Sequence, residues 1–253
     1  NTYYRANTDN KLERQAVDEA FASSIIWGFT VAKETEDGEK VLIDYTPFLL
    51  SDIHQLSSKL KKRKQGNFSI DVSRSGIYAK RSKAFPHNTE LEATVTYKGS
   101  DAGEHLRTVT PDSTAITVNL HHSLIKLPDD NYQSRAFHPY SGFWSNSYAD
   151  YASDIDQPLI QRSIPRHRLS KKDASLAISE AVEPIIYYLD AGVPEPIKSA
   201  LLDGARWWDQ AFSAIGYKNA FQVKMLPEDA DPMDVRYNVI QWVHRATRGW
   251  SYG

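Results

Sequence analysis

Residues 183–253 read EPIIYYLDAGVPEPIKSALLDGARWWDQAFSAIGYKNAFQVKMLPEDADPMDVRYNVIQWVHRATRGWSYG. Ile185 to Leu189 is a short apolar and aromatic run between Pro184 and Ala191-Gly192, the pattern of a buried strand. Pro194 and Pro196 suit the start of a helix, where a missing N–H costs nothing. Apolar residues follow at Ile197, Leu201, Ala205, Trp208, Phe212 and Ile215, a spacing that predicts one inward face of a helix. Gly216 is a left-handed stop. Phe221, Val223 and Met225 alternate with Gln222 and Lys224, as in a half-buried strand. A third strand, Tyr237 to His244, follows the acidic turn Glu228 to Asp234. The order strand, helix, strand predicts a parallel, right-handed crossover.

Three stretches carry a family likeness: YYLDAGVPEPIKSALLDGARWWDQAF (187–212), LPEDADPMDVRYNVIQWVHRATRGWSYG (226–253) and LPDDNY (127–132). They resemble bacterial zinc-dependent metalloproteases with a Met-zincin catalytic domain. The order strand, long helix, strand, strand is likewise similar to the opening of a metzincin catalytic domain. The resemblance implies an uncharacterised α+β domain over 1–175 with a mixed sheet, then the first part of a metzincin-like catalytic domain over 183–253. It places the HExxH helix after this point, so that no zinc ligand and no general base is assigned to any residue here. It implies a secreted or periplasmic hydrolase whose intact form holds zinc and cleaves peptide or protein substrates with metal-activated water. The fragment alone is expected to be inactive. Three strands without their edge strand and covering helix are expected to leave apolar surface exposed.

Bulk properties permit one large or two ordinary domains in 253 residues, with 41% hydrophobic and 25% charged residues. A net charge of −2 offers no electrostatic argument for nucleic acid or an anionic membrane. Without cysteine there is no disulfide, thiolate metal site or cysteine nucleophile. No apolar run approaches the ~20 residues of a membrane span. The opening NTYYRANTDN is polar and is not a signal peptide; it begins as a processed chain would, and the resemblance places a segment before it.

Asp9 or Asn10 is placed to cap a helix with Leu12, Ala16, Ala20 and Ile25 inward. Glu36-Asp37-Gly38 predicts a hairpin turn with Val41 to Tyr45 returning. Pro47 starts a second helix with Phe48, Leu49, Ile53, Leu56 and Leu60 inward; its basic end, Lys59 to Lys64, suits the negative pole of the helix dipole. Strands are expected through Phe68, Ile70 and Val72, through Leu91, Ala93, Val95 and Tyr97, and through Ile116, Val118, Leu120, His122 and Leu124. Pro128 to Asp156 is turn-rich and aromatic. Ile164 to Leu169 is a further strand, and the polar stretch Ser170 to Glu183 marks the domain boundary.

The histidines stand at 54, 87, 105, 121, 122, 138, 167 and 244, and none has another four residues on, so there is no helical zinc pair. GxSxG and GxxxxGK[ST] are also missing. His121 and His122 are neighbours on a strand and point to opposite faces. His122 belongs with the apolar residues, as a hydrogen-bonded core histidine. His121 shares the polar face with Thr117, Asn119 and Ser123, where a ligand role is open. Glu228, Asp229, Asp231 and Asp234 lack the full spacing of a calcium loop and are expected as an ordinary acidic turn. Taken alone, Trp242 is core packing and Arg245 and Arg248 are ion-pair partners; the resemblance makes the cluster Trp242, His244, Arg245, Arg248 and Trp250 a wall of the substrate cleft. Trp208 is expected on the apolar stripe, with Trp207 bracing a neighbour. An alternative reading is a non-catalytic, protein- or glycan-binding or prodomain-like module that uses the rings of 132–151. Exposed rings favour a binding platform; rings buried against the 196–215 helix favour a brace.

Overall fold

Residues 3–243 are described by a computed structural model. Over them the chain is α+β, with short helices and many strands in several sheets, some of mixed direction. β1 (Tyr4–Arg5) precedes α1 (Lys11–Ala20), which Asn10 caps by accepting from the N–H groups of Leu12 and Glu13. The expected inward face of α1 is not buried, and the helix stops before Ile25, because Phe21 turns extended to stack on Tyr4 with centroids 4.1 Å apart. β2 (Val31–Glu34) and β3 (Val41–Ile43) form the expected antiparallel hairpin, turned through Gly38 at φ 69°.

The second helix is split. α2 (Thr46–Leu49) and α3 (Leu56–Lys62) are separated by Gln55 in the left-handed region, while the Asp52 carboxylate accepts from the N–H groups of Leu56 and Ser57 and so starts α3 anew. β4 (Asn67–Ile77), β5 (Lys83–Ala84), β6 (Asn88–Ser100) and β7 (Ala115–Ile125), with α4 (Glu104–Val109) between the last two, make the largest sheet. β6 pairs antiparallel with all three other strands. Its odd positions Ala93, Val95 and Tyr97 are fully buried against Leu49, Phe68, Leu106, Ile116 and Leu120. The Tyr97 hydroxyl reaches Asp52 Oδ1 at 2.9 Å, the partner that a buried phenol needs. Gly99 is required where the Phe68 ring crosses it: a Cβ there would stand 2.1 Å from the Asn67 carbonyl oxygen.

β8 (Arg135–Ala136), β9 (Asn146–Asp150) and β10 (Ile160–Ile164) follow. The expected strand Ile164 to Leu169 is thus shifted toward the N-terminus and ends where Pro165 removes a donor. Next come β11 (Ser179–Glu180), β12 (Ile185–Leu189), α5 (Ile197–Arg206), α6 (Trp208–Ala214), β13 (Tyr217–Lys218), β14 (Phe221–Met225) and β15 (Asn238–Ile240).

The described chain gathers into two compact units interleaved in sequence: 3–28, 128–185 and 216–218 form one, and 29–127, 186–215 and 219–243 form the other. The first holds the sheet β1-β9-β10-β8, in which β1 runs parallel to β9 and the rest antiparallel, and the parallel pair β11 and β13. The second holds the hairpin, the β4–β7 sheet and the sheet β14-β12-β15, with β12 parallel to β15.

The order in 185–240 is as expected except for the short β13, which pairs with β11, and the helix is broken at Trp207 and turned. Leu202, Ala205 and Phe212 are half-buried, with Phe212 stacked on Phe221 at 5.7 Å, whereas Ile197, Leu201, Trp207, Trp208 and Ile215 are exposed. Apolar surface is therefore exposed on this helix pair, where an inward face was expected, and not on the central strand β12 of the sheet; Leu189, Val193, Ala220 and Val223 are buried beside the helices.

Candidate functional site

Strand alternation and register build a polar cluster around two buried glutamates. With the odd positions of β6 committed to the core, its even positions share the other face. Register sets Glu90 opposite Ser123, Glu92 opposite His121 and Thr94 opposite Asn119. Glu90 and Glu92 are only 4% and 3% exposed. Two buried carboxylates on one strand are costly unless their oxygens are met by donors, and here they are. Glu90 Oε2 lies 2.5 Å from His121 Nε2 and accepts from Ser123 Oγ at 2.6 Å; its Oε1 accepts from Asn88 Nδ2. Glu92 Oε2 lies 3.0 Å from His121 Nδ1 and accepts from Arg81 Nε at 2.8 Å; its Oε1 accepts from Asn119 at 2.9 Å. Burial pushes the Glu90 carboxyl up, but the hydrogen bonds from Ser123, Asn88 and His121 outweigh it and hold the group below the ordinary glutamate value.

His121 is thus clamped by both ring nitrogens between carboxylates. Ser123 gives its proton to Glu90 and not to His121, so the trio does not form the serine–histidine relay of a nucleophilic hydrolase. The cluster opens on a cleft of about 340 Å³ whose other wall is 232–235 with Tyr237 and Asn238. Asn88 clips that wall in place: its amide donates to the Met233 carbonyl at 2.8 Å and accepts from the Val235 N–H at 3.1 Å. Lys83 pairs with Asp231 beside it.

The acidic turn behaves as an ordinary turn. Asp231 accepts from the Met233 N–H and pairs with Lys83, and Asp234 pairs with Arg236. Burial raises the Asp231 carboxyl, but Lys83 and the Met233 N–H more than offset it; at Asp234 the Arg236 guanidinium lowers the carboxyl against a smaller effect of burial. Among the described residues no three or more His, Asp or Glu side chains are placed to hold a metal. The described residues therefore do not fit a catalytic zinc.

His122 lies on the opposite face, half-buried against Phe48 and His54 with centroids 5.4 and 5.3 Å away. Its Nδ1 is 3.2 Å from the Tyr45 hydroxyl, while its Nε2 is buried with no hydrogen-bond partner among the described residues, so the core histidine is satisfied on one side only. Burial, then the charges of His54 and His121, push it below the ordinary histidine value.

Of the expected cleft-wall residues, Trp242 is half-buried and its backbone N–H donates to Asp190 Oδ2 at 3.2 Å; His244, Arg245, Arg248 and Trp250 lie outside the described residues. In the aromatic segment, Tyr132 stacks under Arg166 at 5.4 Å, whereas Tyr140, Phe143 and Trp144 are 93%, 59% and 81% exposed.

Asn88, Glu90 and Glu92 are the site residues that sequence reasoning missed. The available signal was glutamate at alternate positions of a strand whose intervening positions are apolar; their partner, His121, is visible only once β6 and β7 are in register.

No curated protein and no solved structure matches this chain. A family profile described as Domain of unknown function (DUF5117) matches residues 1–172. That span is more than half of the 253 residues, and the chain belongs to the DUF5117 family.

Proposed function

We propose that this chain is the scaffold part of a secreted or periplasmic zinc metallopeptidase of the Met-zincin type, whose zinc site is supplied by sequence beyond residue 253. The observation that carries the reading is the run β12, α5–α6, β14, β15. It folds as a three-stranded sheet with β12 central and parallel to β15, and the helix pair beside it keeps an apolar outer face. This apolar helix face, with Trp208 and Ile215 about two-thirds exposed, supports the reading as a surface open to a covering neighbour. The Glu90–Glu92–His121 cluster then serves as a brace. Through Asn88 and Lys83 the DUF5117 sheet holds the turn that leads into β15 and to Trp242. None of the described residues takes a step in peptide hydrolysis.

The test compares this chain with the longer product of the same gene, measuring bound zinc by atomic absorption and cleavage of a fluorescent casein. The expected result is zinc and chelator-sensitive cleavage in the longer product alone. A reading frame that stops at Gly253, or one that continues without a paired-histidine helix, overturns the proposal.

The exposed rings Tyr140, Phe143 and Trp144 favour a second reading, a binding platform in the first unit. Rings that water surrounds on a short loop leave large apolar area available to a ligand.

A further inference from the structure

The β4–β7 sheet has two long outer strands, and only one of them is protected. β4 breaks register between Asp71 and Gly76 and carries the Asp71–Arg74 ion pair, devices that blunt an edge. β7 has neither. It keeps eleven consecutive pairs with β6 without a bulge. Its sequence, AITVNLHHSLI over 115–125, holds no Asp, Glu, Lys, Arg, Pro or Gly. An uninterrupted, uncharged outer strand is a template for another strand.

The Gly99 N–H donates to the Thr114 carbonyl, and the Lys126 N–H to the His87 carbonyl. These two pairs extend the β6–β7 register by one residue at each end. Directly opposed residues that share a hydrogen bond recur at every second position of an antiparallel pair. The even-numbered residues of β7 therefore bond to β6, and the backbone groups of the odd-numbered ones point away from it. Those of Thr117, Asn119, His121, Ser123 and Ile125 make no backbone hydrogen bond among the described residues. Thr117, Asn119 and the end of the strand, Ser123 to Ile125, are exposed.

We propose that β7 pairs antiparallel with β7 of a second copy of this chain, about a two-fold axis at Leu120, and joins the two sheets edge to edge. The strand is complementary to itself in this register. Odd positions meet odd ones through their free backbone groups: Asn119 faces His121 of the second copy, Thr117 faces Ser123, and Ala115 faces Ile125. Even positions meet even ones: Leu120 faces Leu120, Val118 faces His122, and Ile116 faces Leu124. Leu124, 51% exposed in one chain, thereby gains an apolar neighbour. No like charges meet, because the strand carries none. A slip of one residue would set the polar face against the apolar one, and any other register that keeps the faces together leaves residues of each strand unpaired. An unrelated extended peptide would meet the same backbone groups without this match of side chains. Edge pairing alone lies at the small end of interface sizes, so the dimer is expected to dissociate on dilution.

The test is sedimentation equilibrium of the whole chain over a concentration series, in about 0.15 M salt to screen net charge. The mass is expected to climb from one chain toward two and no further, since a two-fold contact closes. Amide exchange at Thr117, Asn119, His121 and Ser123 should slow over the same range. Thr117→Pro removes an outward N–H and none that bonds to β6, a change that an outer strand tolerates. By symmetry the dimer loses that bond twice, and its dissociation constant should rise at least about tenfold. Two double variants keep the test sound should the proline perturb the fold: Ala115→Glu with Ile125→Glu, and Ala115→Glu with Ile125→Lys. Positions 115 and 125 are roughly 33 Å apart within one strand but face each other in the dimer. The Glu–Lys form should therefore associate several-fold more tightly than the Glu–Glu form. A chain that stays monomeric at every concentration overturns the proposal. So do odd-numbered amides already slow on dilution, which would mean that one chain covers its own edge. A dimer indifferent both to Thr117→Pro and to the charge at 125 pairs through another surface and overturns it as well.

Discussion

Glu90 shows how a single side chain is committed by its neighbours. Its two oxygens receive Asn88, Ser123 and His121 in a site that is 4% exposed. Because its carboxyl is held below the glutamate reference of 4.5 in the folded chain, its contribution is present above that pH and is lost as pH falls through the lower folded value. Stability measured by urea titration should therefore decline below about pH 4.5. Glu90→Gln should cost about 2–4 kcal/mol at pH 7 and reduce that slope, since it removes one partner of a buried charged group. An unchanged slope would mean that other carboxylates carry the acid sensitivity; Asp129 is the first comparison, its carboxyl held at about 2 by Arg168 and the Asn131 N–H. Asn88 acts on backbone instead. Asn88→Ala strips a donor from Met233 and an acceptor from Val235, with an expected cost of about 1–3 kcal/mol. Hydrogen exchange at the Val235 amide should quicken while exchange in β6 stays slow; uniform quickening would show general destabilisation rather than release of the turn.

At the scale of elements, two interfaces behave oppositely. The β4–β6 pair is closed so tightly over Gly99 that Gly99→Ala cannot be accommodated without moving the Asn67 carbonyl and the Phe68 ring. A loss above ~2 kcal/mol is expected, in the range of overpacked cores, and a smaller loss would mean that β4 shifts easily. The outer face of α5–α6 is the contrary case. Ile215→Lys should change stability by less than ~0.5 kcal/mol because Ile215 is 65% exposed, whereas Phe212→Ala should cost about 1–3 kcal/mol by removing the ring stacked on Phe221. Equal effects at the two positions would place the helix in a different rotation. The sequence predicted the helix but assigned four of its six stripe residues to the wrong side: steps of three and four fit more than one rotation when aromatic residues lie on both flanks, and only the position of β14 selects Leu202, Ala205 and Phe212.

For the whole molecule, the interleaving of the two units sets the outcome of truncation. The family match covers 1–172, yet the second unit draws on 186–215 and 219–243, and the first on 173–185 and 216–218. A chain cut after residue 172 loses the Asn88 clip and the Lys83–Asp231 pair from one unit and β11 and β13 from the other. Such a chain should melt at least ~5 °C below the parent in a thermal scan, the shift expected of a loss above ~2 kcal/mol in a chain of this size. An unchanged melting temperature would show that 1–172 is self-sufficient.

Local chemistry was legible without coordinates wherever a residue acts on its own chain neighbours. The Asn10 cap, the Gly38 hairpin, the left-handed Gly216 and the alternating core of β6 all follow from backbone geometry within a few residues. The same alternation put His121 and His122 on opposite faces. Tertiary structure alone decided which β7 residues meet Glu90 and Glu92, which side of α5–α6 stays open, and how the acidic turn is held. Each of these depends on register or rotation between segments far apart in the chain, and periodicity leaves both free until packing chooses.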